Sequence, residues 1–130
     1  MTQKILVVDD KEKIRQIYKS LLTRAGYDVV EAHDGHRATN LLVTLQNIHL
    51  ILLDIRMPLV DGVLLYEVAK QYDPDIKIIV TSVHRLEDQK RLIGRADDYY
   101  EKFQDTEVLL SKVKKVFNST TPLSVFSSQH

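Results

Sequence analysis

The segment HLILLDIRMPLVDG, His49 to Gly62, sets a carboxylate, Asp54, directly after four apolar residues, Leu50–Leu53. An unbroken apolar run of that length marks a strand buried on both faces. A charge at its exit is either a satisfied cap or an oxygen held ready for chemistry. Asp9 and Asp10 likewise follow the apolar run KILVV, Thr81 and Ser82 follow IKIIV, and Lys102 lies just past DDYY. Such a set has the parts needed to hold a phosphoryl group. The lysine neutralises its oxygens, a hydroxyl donates a hydrogen bond, and one carboxylate serves as the nucleophile. Asp54 is the best nucleophile because it stands alone at its strand. Three carboxylates in one crevice repel, and keeping all of them ionised requires a cation. Oxygen ligands with no Cys or His nearby in sequence suit Mg²⁺, which takes one or two carboxylates and retains waters.

The elements that would bring these residues together alternate along the chain. KILVV, DVVEA, LILL, IKIIV and DDYY read as five strands. Between them, Ile14, Ile17, Tyr18, Leu21, Leu22 and Ala25 recur at helical spacing, with Gly26 as the C-cap. Ala38, Leu41, Leu42 and Leu45 mark a second helix, and Leu65, Val68, Ala69 and Tyr72 a third, ended by Asp73-Pro74. A fourth, over Leu86 to Ile93, has poor periodicity; Leu109, Val113, Val116 and Phe117 mark the fifth. Alternating strands and helices predict an α/β fold with a parallel sheet covered on both faces. DVVEA and DDYY are the polar strands, and polarity is tolerated at edges. The expected order is therefore 2-1-3-4-5, the doubly wound flavodoxin-like arrangement. In such sheets ligands bind at the carboxyl ends of the strands where the order reverses, which gathers Asp9, Asp10, Asp54, Thr81 or Ser82, and Lys102 on one rim.

Composition narrows the classes. The 130 residues fit one domain, expected over residues 1–118, with the Ser/Thr/Pro-containing residues 119–130 as a flexible tail or the start of a linker. The 18 basic and 18 acidic residues balance, so no global field favours nucleic acid or an anionic membrane. The absence of cysteine excludes disulfides, thiolate nucleophiles and Cys-ligated zinc. No apolar run approaches transmembrane length, and the first ten residues reach acid instead of a signal-peptide core. A cytoplasmic protein is the expectation.

ILVVDD, LILLDIRMPLVDG, the Thr-Ser pair and ADDYYEK, in that order from about Lys4 to Phe117, resemble the receiver domain of two-component response regulators. The resemblance implies that Asp54 accepts a phosphoryl group from the phosphohistidine of a sensor histidine kinase or phosphotransfer protein. It implies that Asp10 binds Mg²⁺ directly, that Asp9 assists, and that the backbone carbonyl of Arg56 is a further ligand. Lys102 and a strand-four hydroxyl would contact the phosphoryl group, and Tyr99 would be the switch aromatic. An output domain or partner would read the face of the fourth helix, fifth strand and fifth helix, with a homodimer on activation as one form of output.

Three departures from that pattern have consequences. Adjacent strand residues face opposite ways, so only one of Thr81 and Ser82 can point at the phosphoryl site. Counting without gaps from Asp54 and Pro74 favours Ser82; the family's small residue after the hydroxyl favours Thr81. Phe103 stands where the family usually has a proline, and a cis bond before phenylalanine would cost ~2.5–4 kcal/mol, so trans is expected. The segment between the fourth strand and Lys102 is short, which predicts a shortened fourth helix. A pseudo-receiver that binds partners without phosphorylation is the competing class. A phosphatase of the haloacid dehalogenase-like type is disfavoured because Asp54-Ile55-Arg56 lacks the second acid. A nucleotide site is disfavoured because VVDDKEK has no glycine to admit a pyrophosphate.

Overall fold

The structure, a computed structural model, describes residues 2–45, 47–55, 62–83 and 85–118, with the side chains of residues 91 and 92 excepted. In chain order the elements are β1 (Lys4–Val8), α1 (Glu12–Arg24), β2 (Asp28–Ala32), α2 (Gly35–Leu45) and β3 (Leu50–Asp54). They continue with α3 (Gly62–Tyr72), β4 (Lys77–Ser82), α4 (Leu86–Leu92), β5 (Asp98–Glu101) and α5 (Thr106–Asn118). The strands form one parallel sheet in the order β2-β1-β3-β4-β5, as the strand polarities predict.

Alternation along the strands splits the core into two layers. Ile5, Val7, Leu50, Leu52 and Ile79 point to one face and pack with Tyr18 and Leu22 of α1 and Leu109, Val113 and Phe117 of α5. Leu6, Val8, Ile51, Leu53, Ile78 and Val80 point to the other, against Ala38 and Leu42 of α2 and Leu65, Tyr66 and Ala69 of α3. Every residue of β3 is buried, whereas β2 keeps Asp28 exposed and Glu31 half-buried, as an edge strand can. There Glu31 meets Arg15 at 3.1 Å and Lys19 at 3.5 Å.

Local signals behave largely as expected. Gly26 adopts φ +99°, the left-handed conformation that ends α1, and its amide bonds the Thr23 carbonyl at 3.0 Å. At the start of α1 the cap position is Lys11, in extended conformation and without a side-chain cap bond. Asp9 instead accepts from the Lys11 amide at 2.9 Å, and Asp10 is left free of capping. At α2, Asp34 accepts the Arg37 amide at 2.9 Å, an N-cap bond that holds its carboxyl below the usual carboxylate range. Helix α4 has only seven residues, short as anticipated. Strand β4 runs on to include Thr81 and Ser82, and β5 begins one residue later than DDYY because Asp97 turns its carboxylate back to the Ile78 amide at 2.8 Å. Among the described residues no helix is long and apolar enough to cross a membrane.

Candidate phosphoryl and metal site

The alternation that builds the core also aims the polar groups. Asp9 continues the Ile5–Val7 series, Asp54 the Leu50–Leu52 series and Lys102 the series of Tyr100, so all three head for the α1/α5 side at the carboxyl edge. There the Lys102 Nζ lies 2.6 Å from Asp9 Oδ2 and 3.3 Å from Asp54 Oδ2. Both carboxylates are buried, at 1% and 4% exposure. In so dry a place a shared ammonium is the condition for two anions to coexist.

Asp9 is held from every side. Its amide bonds the Ala32 carbonyl at 3.1 Å, and its own carbonyl accepts from Arg15 Nη1 at 2.8 Å. Arg15 is anchored in turn by Glu31 at 3.1 Å, so β2 and α1 jointly fix the loop that carries the acidic pair. Gly62 abuts the backbone that follows Asp54, its amide bonding the Ile55 carbonyl at 3.3 Å. Any Cβ on that glycine would run into the Ile55 backbone and come within 2.8 Å of the Asp54 carbonyl, so only glycine lets α3 start this close.

One ligand oxygen from each of Asp9, Asp10 and Asp54 falls within 4.8 Å of the others. Asp10 Oδ1 is buried and has no hydrogen-bond partner among the described residues; Lys11 Nζ lies 3.9 Å from it. A carboxylate oxygen removed from water without a donor is costly unless a cation meets it. Three hard oxygens at this spacing, one of them unsatisfied, fit a divalent ion that keeps some of its waters. Arg56, whose carbonyl is the fourth expected ligand, lies outside the described residues, as does the expected tail, residues 119–130.

The two hydroxyl candidates occupy different positions. Thr81 is buried, is the register partner of Asp54 and continues the Ile79 series toward the face of Asp54, whereas Ser82 continues the Ile78–Val80 series toward the other face. Ser82 lines a cleft of about 520 Å³ with Asp54, Lys102, Lys11, Ile14, Val83 and Phe103; Thr81 is not among its lining residues. The Ser82 carbonyl also accepts the Lys102 amide at 2.8 Å, tying the end of β4 to the lysine. Tyr99 faces the other layer, in register with Val80. Its hydroxyl donates to the Ile93 carbonyl at 2.6 Å and accepts from the Ala96 amide at 3.2 Å. Lys90 Nζ stands 5.9 Å from its ring centroid. The Lys102–Phe103 bond is trans, as expected.

Sequence reasoning overlooked several residues that shape the site. Lys11, Ile14 and Val83 line the cleft, and Arg15 braces Asp9. Tyr18, buried beneath, has its phenol pushed up first by burial, then by Tyr100 and by the negative fields of Asp9 and Asp54. The basic residues beside the Asp pair were the one visible signal. Tyr18 looked like ordinary helix stripe.

Fold and site together place a lysine-bridged acidic cluster at the carboxyl edge of a doubly wound sheet. The chain belongs to the response regulator receiver domain family, whose model matches residues 5–114. Over 114 residues, 87% of the chain, it is 34% identical to the uncharacterized transcriptional regulatory protein YrkP of Bacillus subtilis (strain 168). It spans 48% of that protein, about half its length. The response regulator protein TrrA of Thermotoga maritima, solved in complex with Mg²⁺-BeF, superposes with a TM-score of 0.81 at 31% identity, covering 88% of this chain and 99% of that one. The chemotaxis protein CheY4 of Vibrio cholerae gives a TM-score of 0.82 at 25% identity, covering 89% and 99%.

Proposed function

We propose that this receiver domain is a phosphorylation-controlled switch in which Asp54 accepts a phosphoryl group from a histidine kinase or phosphotransfer protein. The observation that carries the reading is the Lys102 ammonium between Asp9 and Asp54, at 2.6 and 3.3 Å, beside the unsatisfied Asp10 Oδ1. Asp54 attacks phosphorus; the Asp54 O–P bond forms as the donor P–N bond breaks, and the leaving imidazole takes its proton from solvent. Lys102 pairs with the phosphoryl oxygens, and we assign the hydroxyl role to Thr81, supported by its register with Asp54 and by its place in the Ile79 series, which shares the face of Asp54. Asp10 and Asp9 would hold Mg²⁺, with Arg56 through its carbonyl; the ion supplies charge neutralisation at the transferring group. The magnesium complex of the Thermotoga relative supports that assignment.

Signalling requires that phosphorylation bias two conformations that a partner or output domain binds unequally. We assign the readout to the α4, β5 and α5 face, with Tyr99 as the reporter. It is clamped to the end of α4 through Ile93, so a shift of either moves both.

The test is intact-mass measurement after incubation with Mg²⁺ and fresh acetyl phosphate. One added phosphoryl mass is expected, lost in Asp54→Asn and retained in Asp75→Asn, at an exposed aspartate on the loop leading into β4. An adduct that survives Asp54→Asn would refute the assignment. No adduct in the wild type would favour the pseudo-receiver, to which the exposed Phe103 and the seven-residue α4 already lend some support.

A further inference from the structure

The cleft above Asp54 is chemically divided. Its inner wall carries Asp54, Ser82 and Lys102, and its outer wall carries the exposed Lys11 together with the apolar Ile14, Val83 and Phe103. Phe103 is 81% exposed, the most exposed large apolar side chain among those described. An aromatic ring in water is a standing cost, yet the backbone beneath this one is tightly held. Lys102 and Phe103 are the central residues of a turn closed by the Gln104 amide on the Glu101 carbonyl at 2.9 Å. The Tyr100 hydroxyl donates to the Gln104 carbonyl at 2.6 Å, and the Lys102 amide is tied to Ser82 at 2.8 Å. The turn therefore sends its lysine inward to Asp54 and its phenyl outward to the cleft mouth, one peptide unit apart.

Resting on the phosphoacceptor reading, we propose that Phe103 is a specificity-determining residue that stacks on the heteroaromatic leaving group of the phosphodonor. In an in-line displacement the leaving group departs on the side of phosphorus opposite the attacking Asp54 oxygen, toward the open mouth of the cleft. A flat imidazole emerging there meets the face of Phe103, with Ile14 and Val83 as further apolar walls. Acetate or ammonia leaving by the same route has no ring to stack. The Asp54 O–P bond forms, the P–N bond breaks, and the departing nitrogen is protonated by water, so Phe103 takes no part in the covalent step. It selects which donor is held in line.

The experiment compares three donors with Mg²⁺ present: phosphoimidazole, phosphoramidate, which has the same P–N bond without a ring, and acetyl phosphate. The quantity read is the ratio of the second-order phosphorylation rate for phosphoimidazole to that for each ringless donor, followed by intact mass. Phe103→Ala should lower both ratios about three- to tenfold, the range expected for one aromatic pair. Phe103→Trp should restore them and Phe103→Leu should not. Ratios that survive Phe103→Ala, or that leucine restores as fully as tryptophan, overturn the inference. If no donor phosphorylates the wild type, the phosphoacceptor reading itself falls and takes this inference with it. Unchanged ratios on a protein that is phosphorylated sink the role of Phe103 alone. Superimposable thermal unfolding curves for the variants exclude loss of fold as the cause.

Discussion

Lys102 and Asp9 are 93 positions apart, yet the ammonium of one lies 2.6 Å from the carboxylate of the other. That contact, with Asp54 as the lysine's second partner, holds two buried anions in the folded protein. Removing the lysine leaves both without their shared counter-charge. Lys102→Met should therefore lower unfolding free energy by about 3–5 kcal/mol, the usual cost of breaking a buried pair from one side. Millimolar Mg²⁺ should recover part of the loss, because a divalent ion meets the same oxygens. Urea unfolding with and without Mg²⁺ measures both effects. A variant as stable as the wild type would show that the bridge is energetically idle.

The hydroxyl assignment separates adjacent residues. Thr81→Val, which removes a hydroxyl at nearly constant shape, should slow phosphoryl acceptance from acetyl phosphate by roughly tenfold or more, the loss of a donor aimed at developing charge. Ser82→Ala, on the opposite face of the strand, should change it by less than about twofold on the same scale. Stopped-time intact mass gives both rates, and the reverse ranking would transfer the role to Ser82.

Tyr99 fastens β5 to the segment after α4 through its bonds with Ile93 and Ala96. Tyr99→Phe keeps the ring in the core and strands a carbonyl and an amide. A loss of about 1 kcal/mol in stability is expected, with faster amide exchange at Ala96. Exchange that accelerates uniformly over the whole sheet would instead mean a global effect.

Acid stability should register the α2 cap. The folded-state carboxyl of Asp34 is lowered, chiefly by the Arg37 amide, with His33 and His36 adding to the effect. A lowered folded value means that the carboxylate binds its proton more weakly in the native state. Its stabilising contribution is then complete above the unfolded carboxylate range and drains away as pH falls through the lower folded value. Asp34→Asn retains an acceptor for the cap and removes the titration. Urea unfolding between pH 6 and pH 3 should show a shallower acid loss in the variant than in the wild type. Identical slopes would contradict the linkage.

Much of this molecule was legible in one dimension. LILL followed by Asp54 fixed a buried strand with a charge at its exit, because burial on both faces leaves no alternating pattern. The polarity of DVVEA and DDYY assigned those strands to the edges, where half of each strand meets solvent, and thereby placed the rim on which Asp9, Asp54 and Lys102 collect. Residue types alone pointed to an oxygen-only candidate ligand set, and one oxygen of each of Asp9, Asp10 and Asp54 does lie within 4.8 Å of the others. Other features waited for the tertiary structure. Arg15 reaching the Asp9 carbonyl, Gly62 pressed against Asp54, the clamp of Tyr99 on Ile93 and the outward ring of Phe103 depend on how strand ends and loops lie against one another. Periodicity records which face a side chain takes along its own element. It carries no information on the distance between two elements that are remote in sequence, and at a site built from loop ends that distance decides which groups touch.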